Sequence, residues 1–153
     1  MLPFTLKVAG DSHVKRLDVR DVRYRVHGVV RLEGAALVLQ WSGERHVTEV
    51  KGPEVSERVE PLPVRTLQIP GARLGLIERR GWWRPRVEVV VTDLALLEGV
   101  PGAARGRLAL VIARRDTALA DEFISNVRVL MADAAIAAAE APPPLPPPPD
   151  STG

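Results

Sequence analysis

Trp82 and Trp83 stand side by side in a chain whose aromatic content is only 4%, and Arg79, Arg80, Arg84 and Arg86 surround them. Tryptophan and arginine are enriched among the residues that dominate interface energetics, and a guanidinium also stacks on an indole face. The chemistry this stretch carries is therefore binding chemistry. Adjacent strand residues point to opposite faces of a sheet. An extended Trp82-Trp83 pair cannot send both rings into one core, so one ring is expected at the surface.

Catalytic patterns are weaker. His13, His27 and His46 form no HxH or HxxxH pair. The serines at 12, 42, 56, 125 and 151 lack the G-x-S-x-G context of a hydrolase nucleophile. Gly99, Gly102 and Gly106 are not followed by the Lys-Ser/Thr of a phosphate loop and read as loop punctuation. Cysteine is absent, which excludes disulfides, thiolate metal sites and cysteine nucleophiles from this sequence. Asp121 and Glu122 read as charges on a helix face. The expectation is a non-enzymatic protein with no cofactor, metal or catalytic residue.

The C-terminus offers a second binding element. Residues 142–149 hold seven of the 14 prolines. Such a run forms a stiff polyproline II rod of about 3.1 Å per residue. Pro143, Leu145 and Pro147 are its expected contact points, with Leu145 its sole bulky apolar side chain. The chain thus divides into a domain over 1–141 and an extended tail over 142–153.

The rest of the sequence must position these elements. Its 153 residues, 46% apolar and 26% charged, suit one globular domain. With 21 Lys+Arg against 19 Asp+Glu the net charge is +2, and this argues against nucleic acid as a partner. No apolar run approaches the roughly 20 residues of a membrane span. Residues 1–7 lack the basic and apolar regions of an export signal, so the expected location is the cytoplasm.

Val22, Tyr24, Val26, Val30 and Leu32 share one parity while Arg23, Arg25, His27 and Arg31 take the other. That predicts a half-buried strand over 22–32. Leu17 and Val19 fall on the opposite parity, which predicts a bulge or turn near Arg20-Asp21. Leu37, Leu39 and Trp41 predict the next strand, ended by a turn at Ser42-Gly43-Glu44 and followed by a weaker strand over 45–50. Pro53, Pro61 and Pro63 make 52–63 an irregular or edge segment. Further strands are expected at 67–69, 74–80, 86–92 and 108–112, with one helical turn at 93–98. The period then changes. Leu119, Phe123, Val127, Leu130 and Ala134, widened by Ile124 and Met131, predict an amphipathic helix over 117–139. Asp116 is its expected N-cap.

The stretches Gly28–Leu39, Arg80-Gly81-Trp82-Trp83-Arg84-Pro85-Arg86, and Val100-Pro101-Gly102 leading into 108–115 and the helix are similar to bacterial pleckstrin-homology-like (PH-like) domain proteins. The resemblance covers most of 20–135. It implies a mainly β fold with one C-terminal helix: two curved antiparallel sheets of about seven strands form a partly open barrel, and the helix caps one end. It implies a fold rather than a reaction, with relatives that bind proteins or membranes. Lipid-binding members often carry basic residues between their first two strands. If those strands are 26–32 and 37–41, the loop is Glu33-Gly34-Ala35-Ala36, which holds an acid and no base and argues against phosphoinositide binding.

The functional expectation is a structural or accessory subunit of a larger bacterial assembly, contacting other proteins through the Trp-Arg stretch and the tail. An extrinsic subunit on the cytoplasmic side of a membrane complex is the preferred setting, of which a photosynthetic or respiratory assembly is one example. The alternatives are a peripheral module for anionic lipid and a small enzyme whose site is assembled from distant residues.

Overall fold

The computed structural model describes residues 1–10 and 12–147. The strands are β1 Leu2–Ala9, β2 His13–Lys15, β3 Asp18–Glu33, β4 Ala36–Lys51, β5 Glu54–Pro70, β6 Leu74–Arg80, β7 Arg86–Val91 and β8 Arg107–Val111. One helix, α1, spans Thr117–Glu140. Short 3-10 turns occupy Gly71–Arg73, Leu94–Leu97 and Arg114–Asp116. The strands form a single antiparallel sheet in the order β5-β4-β3-β1-β8-β7-β6, with β2 paired to β3. The two expected sheets are thus one, joined across β1 and β8 at a single bridge, Thr5 to Val111. One face of both halves supplies the same core: Leu37, Leu39 and Ile69 from one half, and Val87, Val89, Leu108 and Leu110 from the other. Edges β5 and β6 do not pair with each other. The fold is therefore a partly open barrel, and α1 closes it at one end by burying Ala120, Phe123, Ile124 and Val127.

Alternation explains β3. Val22, Val26 and Val30 are buried while Arg23, Arg25 and His27 are exposed. The expected bulge near Arg20-Asp21 is absent. β3 pairs without interruption from Asp18 to Glu33 against β4. Val19 lies on the outer face, and Leu17 belongs to the β2–β3 turn. The turn expected at Ser42-Gly43-Glu44 is likewise a correction, because β4 runs straight through it. The irregularity sits in β5 instead. Trp41 opposes Arg65 and Gly43 opposes Leu62, which leaves one extra residue in β5 at Pro63-Val64. Pro63 has no amide hydrogen to give a ladder, so a bulge on an edge strand suits it.

A first strand, β1, was absent from the expected elements, although Leu2, Phe4 and Leu6 alternate and are buried. Its presence changes the loop count. The first two adjacent strands are β1 and β3, and the segment joining them carries Lys15 and Arg16. Glu33-Gly34-Ala35-Ala36 is therefore not the loop between the first two strands, and the segment that is carries bases.

Helix α1 matches its expected span within a residue, but its buried line is rotated. Leu119 is 40% exposed, and Ala120 is buried in its place. The small Ala120 side chain lets that turn approach the sheet closely. Asp116 occupies the N-cap position without accepting a bond from the first turn. Its backbone, φ −98° and ψ 10°, departs from the extended geometry a capping side chain needs. The preceding 3-10 turn supplies the local bonds instead, with Thr117 Oγ1 donating to the Arg114 carbonyl at 3.0 Å.

Candidate interaction surface

Strands β6 and β7 pair as far as Arg80 and Arg86 and enclose the loop 81–85. Gly81 opens the loop with φ +75°, and a Cβ there would lie 2.7 Å from the Arg84 carbonyl oxygen. Glycine is the residue that meets both demands. Pro85 closes the loop from a buried position, and its carbonyl accepts the Ile112 amide at 2.9 Å. That bond ties the hairpin to the end of β8.

Both tryptophans are at the surface. Trp82 is 78% exposed and Trp83 61%. Alternation does not govern them, because 82–84 is a bend rather than strand. Their rings meet edge to face, with centroids 5.4 Å apart and planes at 76°. The guanidinium of Arg114 lies 4.6 Å from the Trp83 ring centroid, within cation–π range. Arg114 is legible in the sequence as positive charge added to this patch, but not as a neighbour of Trp83. It stands 31 positions beyond Trp83 and reaches it only because β8 ends beside Pro85.

The four expected arginines separate into two pairs. Arg79 donates to both carboxylate oxygens of Asp121 on α1, at 2.6 and 3.1 Å. Arg80 is held between Glu78 and Glu88. These two brace the fold. Arg84 and Arg86 have no carboxylate within 4.0 Å among the described residues. The hairpin apex therefore presents two indoles beside three cations, Arg84, Arg86 and Arg114, none with a carboxylate within 4.0 Å among the described residues. No family model, curated protein or solved structure matches this chain.

The Arg79 hydrogen bond is the main reason that the Asp121 carboxyl titrates below its ordinary range. A depressed folded pKa contributes stability that is present above the unfolded value, about 3.9, and is lost as pH falls through the folded one. Asp121→Asn is expected to lower the thermal midpoint by a constant amount above about pH 5. The difference from the parent should vanish in stronger acid. A difference unchanged at low pH would remove the ion pair as its cause.

Pro143, Leu145 and Pro147 leave α1 as an exposed chain, with Leu145 93% exposed. Ala141 starts this segment in extended geometry, φ −63° and ψ 133°. Asp121 marks the hairpin end of the helix, and the tail leaves the other end, roughly 28 Å away at 1.5 Å per residue. The hairpin and tail are thus not brought together within one molecule. Residues 148–153 of the tail lie outside the described residues.

Elsewhere, Ser42 Oγ lies 3.3 Å from His27 Nε2 on the outer face, and His46 Nε2 lies 3.1 Å from Glu44. No carboxylate among the described residues bonds the His27 ring. Among those residues no three His, Asp or Glu side chains gather as a metal site, and no helix is long and apolar enough to cross a membrane.

Proposed function

We propose that this chain is a non-enzymatic, PH-like docking subunit that binds a protein partner in a larger bacterial assembly through the apex of the β6–β7 hairpin. The observation that carries the proposal is the exposure of Trp82 and Trp83 beside the unpaired Arg84, Arg86 and Arg114. Two indoles left in water are unfavourable unless something covers them, and the loop that holds them is pinned at Gly81 and Pro85. A rigid apex loses little conformational entropy on docking. The helix over one end of a curved antiparallel sheet supports the PH-like reading. The proline tail, already extended, is a second and separate contact, and polyproline segments dock into aromatic-lined grooves. A cytoplasmic setting at the face of a membrane complex belongs to this proposal.

The test is native pull-down with mass spectrometry on three variants, alongside thermal melting. Trp82→Ala and Trp83→Ala should each weaken assembly by about 2 kcal/mol while the melting temperature stays near that of the parent. Removing 142–153 should leave the domain folded and reduce occupancy. Normal co-purification of all three variants would sink the proposal.

The same apex favours one other reading. Paired indoles beside unneutralised arginines suit the headgroup region of an anionic bilayer. Flotation with phosphatidylglycerol vesicles, without protein partners, separates the two. Binding that is lost in Trp82→Ala and at high salt selects the bilayer.

A further inference from the structure

The end of the barrel opposite α1 is open, and a cleft of about 790 Å³ occupies its mouth. Val8, Tyr24, Trp41, Leu62 and Val100 line it, and the one charged residue among its lining is Arg65. Register explains the arrangement. Phe4, Gly28, Trp41 and Arg65 are successive partners across β1, β3, β4 and β5, and opposed residues share a face. Phe4 and Trp41 are buried in the core, so Arg65 occupies a core-facing position at the rim. Arg65 continues the alternation of Leu67 and Ile69 on that face and is itself exposed, and the bulge at Pro63-Val64 adds Leu62 to the same face, three residues from Arg65 instead of two or four. Two rows further along the same face, Arg45 reaches Glu60 at 3.2 Å. Arg65 has no carboxylate within 4.0 Å among the described residues. The wall at Val100 is fixed by backbone bonds, Val100 to the Leu97 carbonyl at 3.2 Å and Ala103 to the Val100 carbonyl at 3.1 Å.

We propose that this mouth binds an amphipathic carboxylate, its apolar body against Trp41, Tyr24, Leu62 and Val100 and its carboxylate on the Arg65 guanidinium. The volume falls within the range of small-molecule sites, about 300–1,000 Å³. A single unpaired guanidinium matches a single negative charge, and its planar fork fits the two oxygens of a carboxylate. A dianion would leave one charge unpaired beside apolar walls. The hairpin lies on different strands and contributes no residue to this mouth.

Trp41 is a built-in reporter. In the full chain carrying Trp82→Phe and Trp83→Phe it is the one remaining tryptophan, and neither substitution touches the cleft. Titration with decanoate below its micelle concentration should change Trp41 emission saturably with one site, and isothermal titration should give the same stoichiometry. Decanol, which has the chain without the charge, should bind about tenfold or more weakly. Arg65→Gln should lower decanoate affinity by a similar factor and leave decanol affinity and the melting temperature unchanged. Equal binding of decanoate and decanol, or an unaffected Arg65→Gln variant, overturns the proposal and leaves Arg65 as a charge that discourages strand pairing at the β5 edge. Absence of saturable binding by both methods also overturns it.

Discussion

Gly28→Val is expected to abolish the cooperative fold. Gly28 lies midway along β3, between Phe4 on β1 and Trp41 on β4. A Cβ there would collide with the Gln40 carbonyl oxygen, and it would stand 2.7 Å from Phe4 Cζ and 2.9 Å from Trp41 Cβ. The first obstacle is backbone of the adjacent strand. Moving it breaks the β3–β4 ladder, and moving the rings opens the core. Ordinary overpacking costs about 1–3 kcal/mol where side chains can give way. Here the backbone cannot, so a loss above about 4 kcal/mol is expected, at the extreme of single substitutions. A domain of this size holds roughly 5–15 kcal/mol in total. Circular dichroism and urea denaturation test this. Gly34→Ala is the control: it too strains the backbone, at φ +56°, but its Cβ meets nothing within 4 Å, and about 1–2 kcal/mol is the expected loss. Equal losses at the two sites would refute the steric account.

Phe123→Ala is expected to cost about 3–5 kcal/mol, the usual range for emptying a buried aromatic site. Phe123 is 7% exposed, and it joins the core that both halves of the sheet share. It holds α1 over the barrel end, assisted by Arg79 to Asp121 and by Arg128 donating to the Ile77 carbonyl at 3.3 Å. Those polar ties are exposed or partly exposed and cannot replace the lost packing. The measurement is the urea midpoint, with an unchanged m-value confirming that the parent ensemble is retained. A loss below about 1 kcal/mol would mean that α1 rests on the barrel without sealing it.

Period carried much of the architecture in advance. The alternation of Val22, Val26 and Val30 and the three-to-four spacing of Phe123 and Val127 each mark a face that must be buried, and those faces form the core. Gly43 misled because a glycine between Ser and Glu suggests a turn. Its real constraint is a neighbour: a Cβ would collide with the Arg25 carbonyl oxygen and lie 2.9 Å from Val26 Cα. That approach depends on pairing with β3 and has no local signature. Leu2, Phe4 and Leu6 did carry a legible signal for β1. At the candidate site, Trp82 and Trp83 were evident by type and spacing. Which arginines remained free was not, because it is settled by Asp121, 42 residues from Arg79, and by the end of β8 bringing Arg114 to Trp83. The open mouth was not legible either, since a bulge in the β4–β5 pairing brings Leu62 to the face that Arg65 shares.

The free edges of the sheet are guarded in two different ways. An unpaired strand is a template for further strands, and chain after chain can add to it. The 17-residue β5 carries Pro61 and Pro63, with Glu54, Glu57, Arg58 and Glu60 along its outer half. The prolines interrupt any incoming ladder, and the charges keep the edge hydrated. At the opposite edge α1 packs beside β6, and Arg128 occupies the Ile77 carbonyl. Pro61 and Pro63 thus break the β5 edge near its middle, and α1 covers part of the β6 edge. The side-chain contacts proposed at the apex and the mouth would add no strand to either edge.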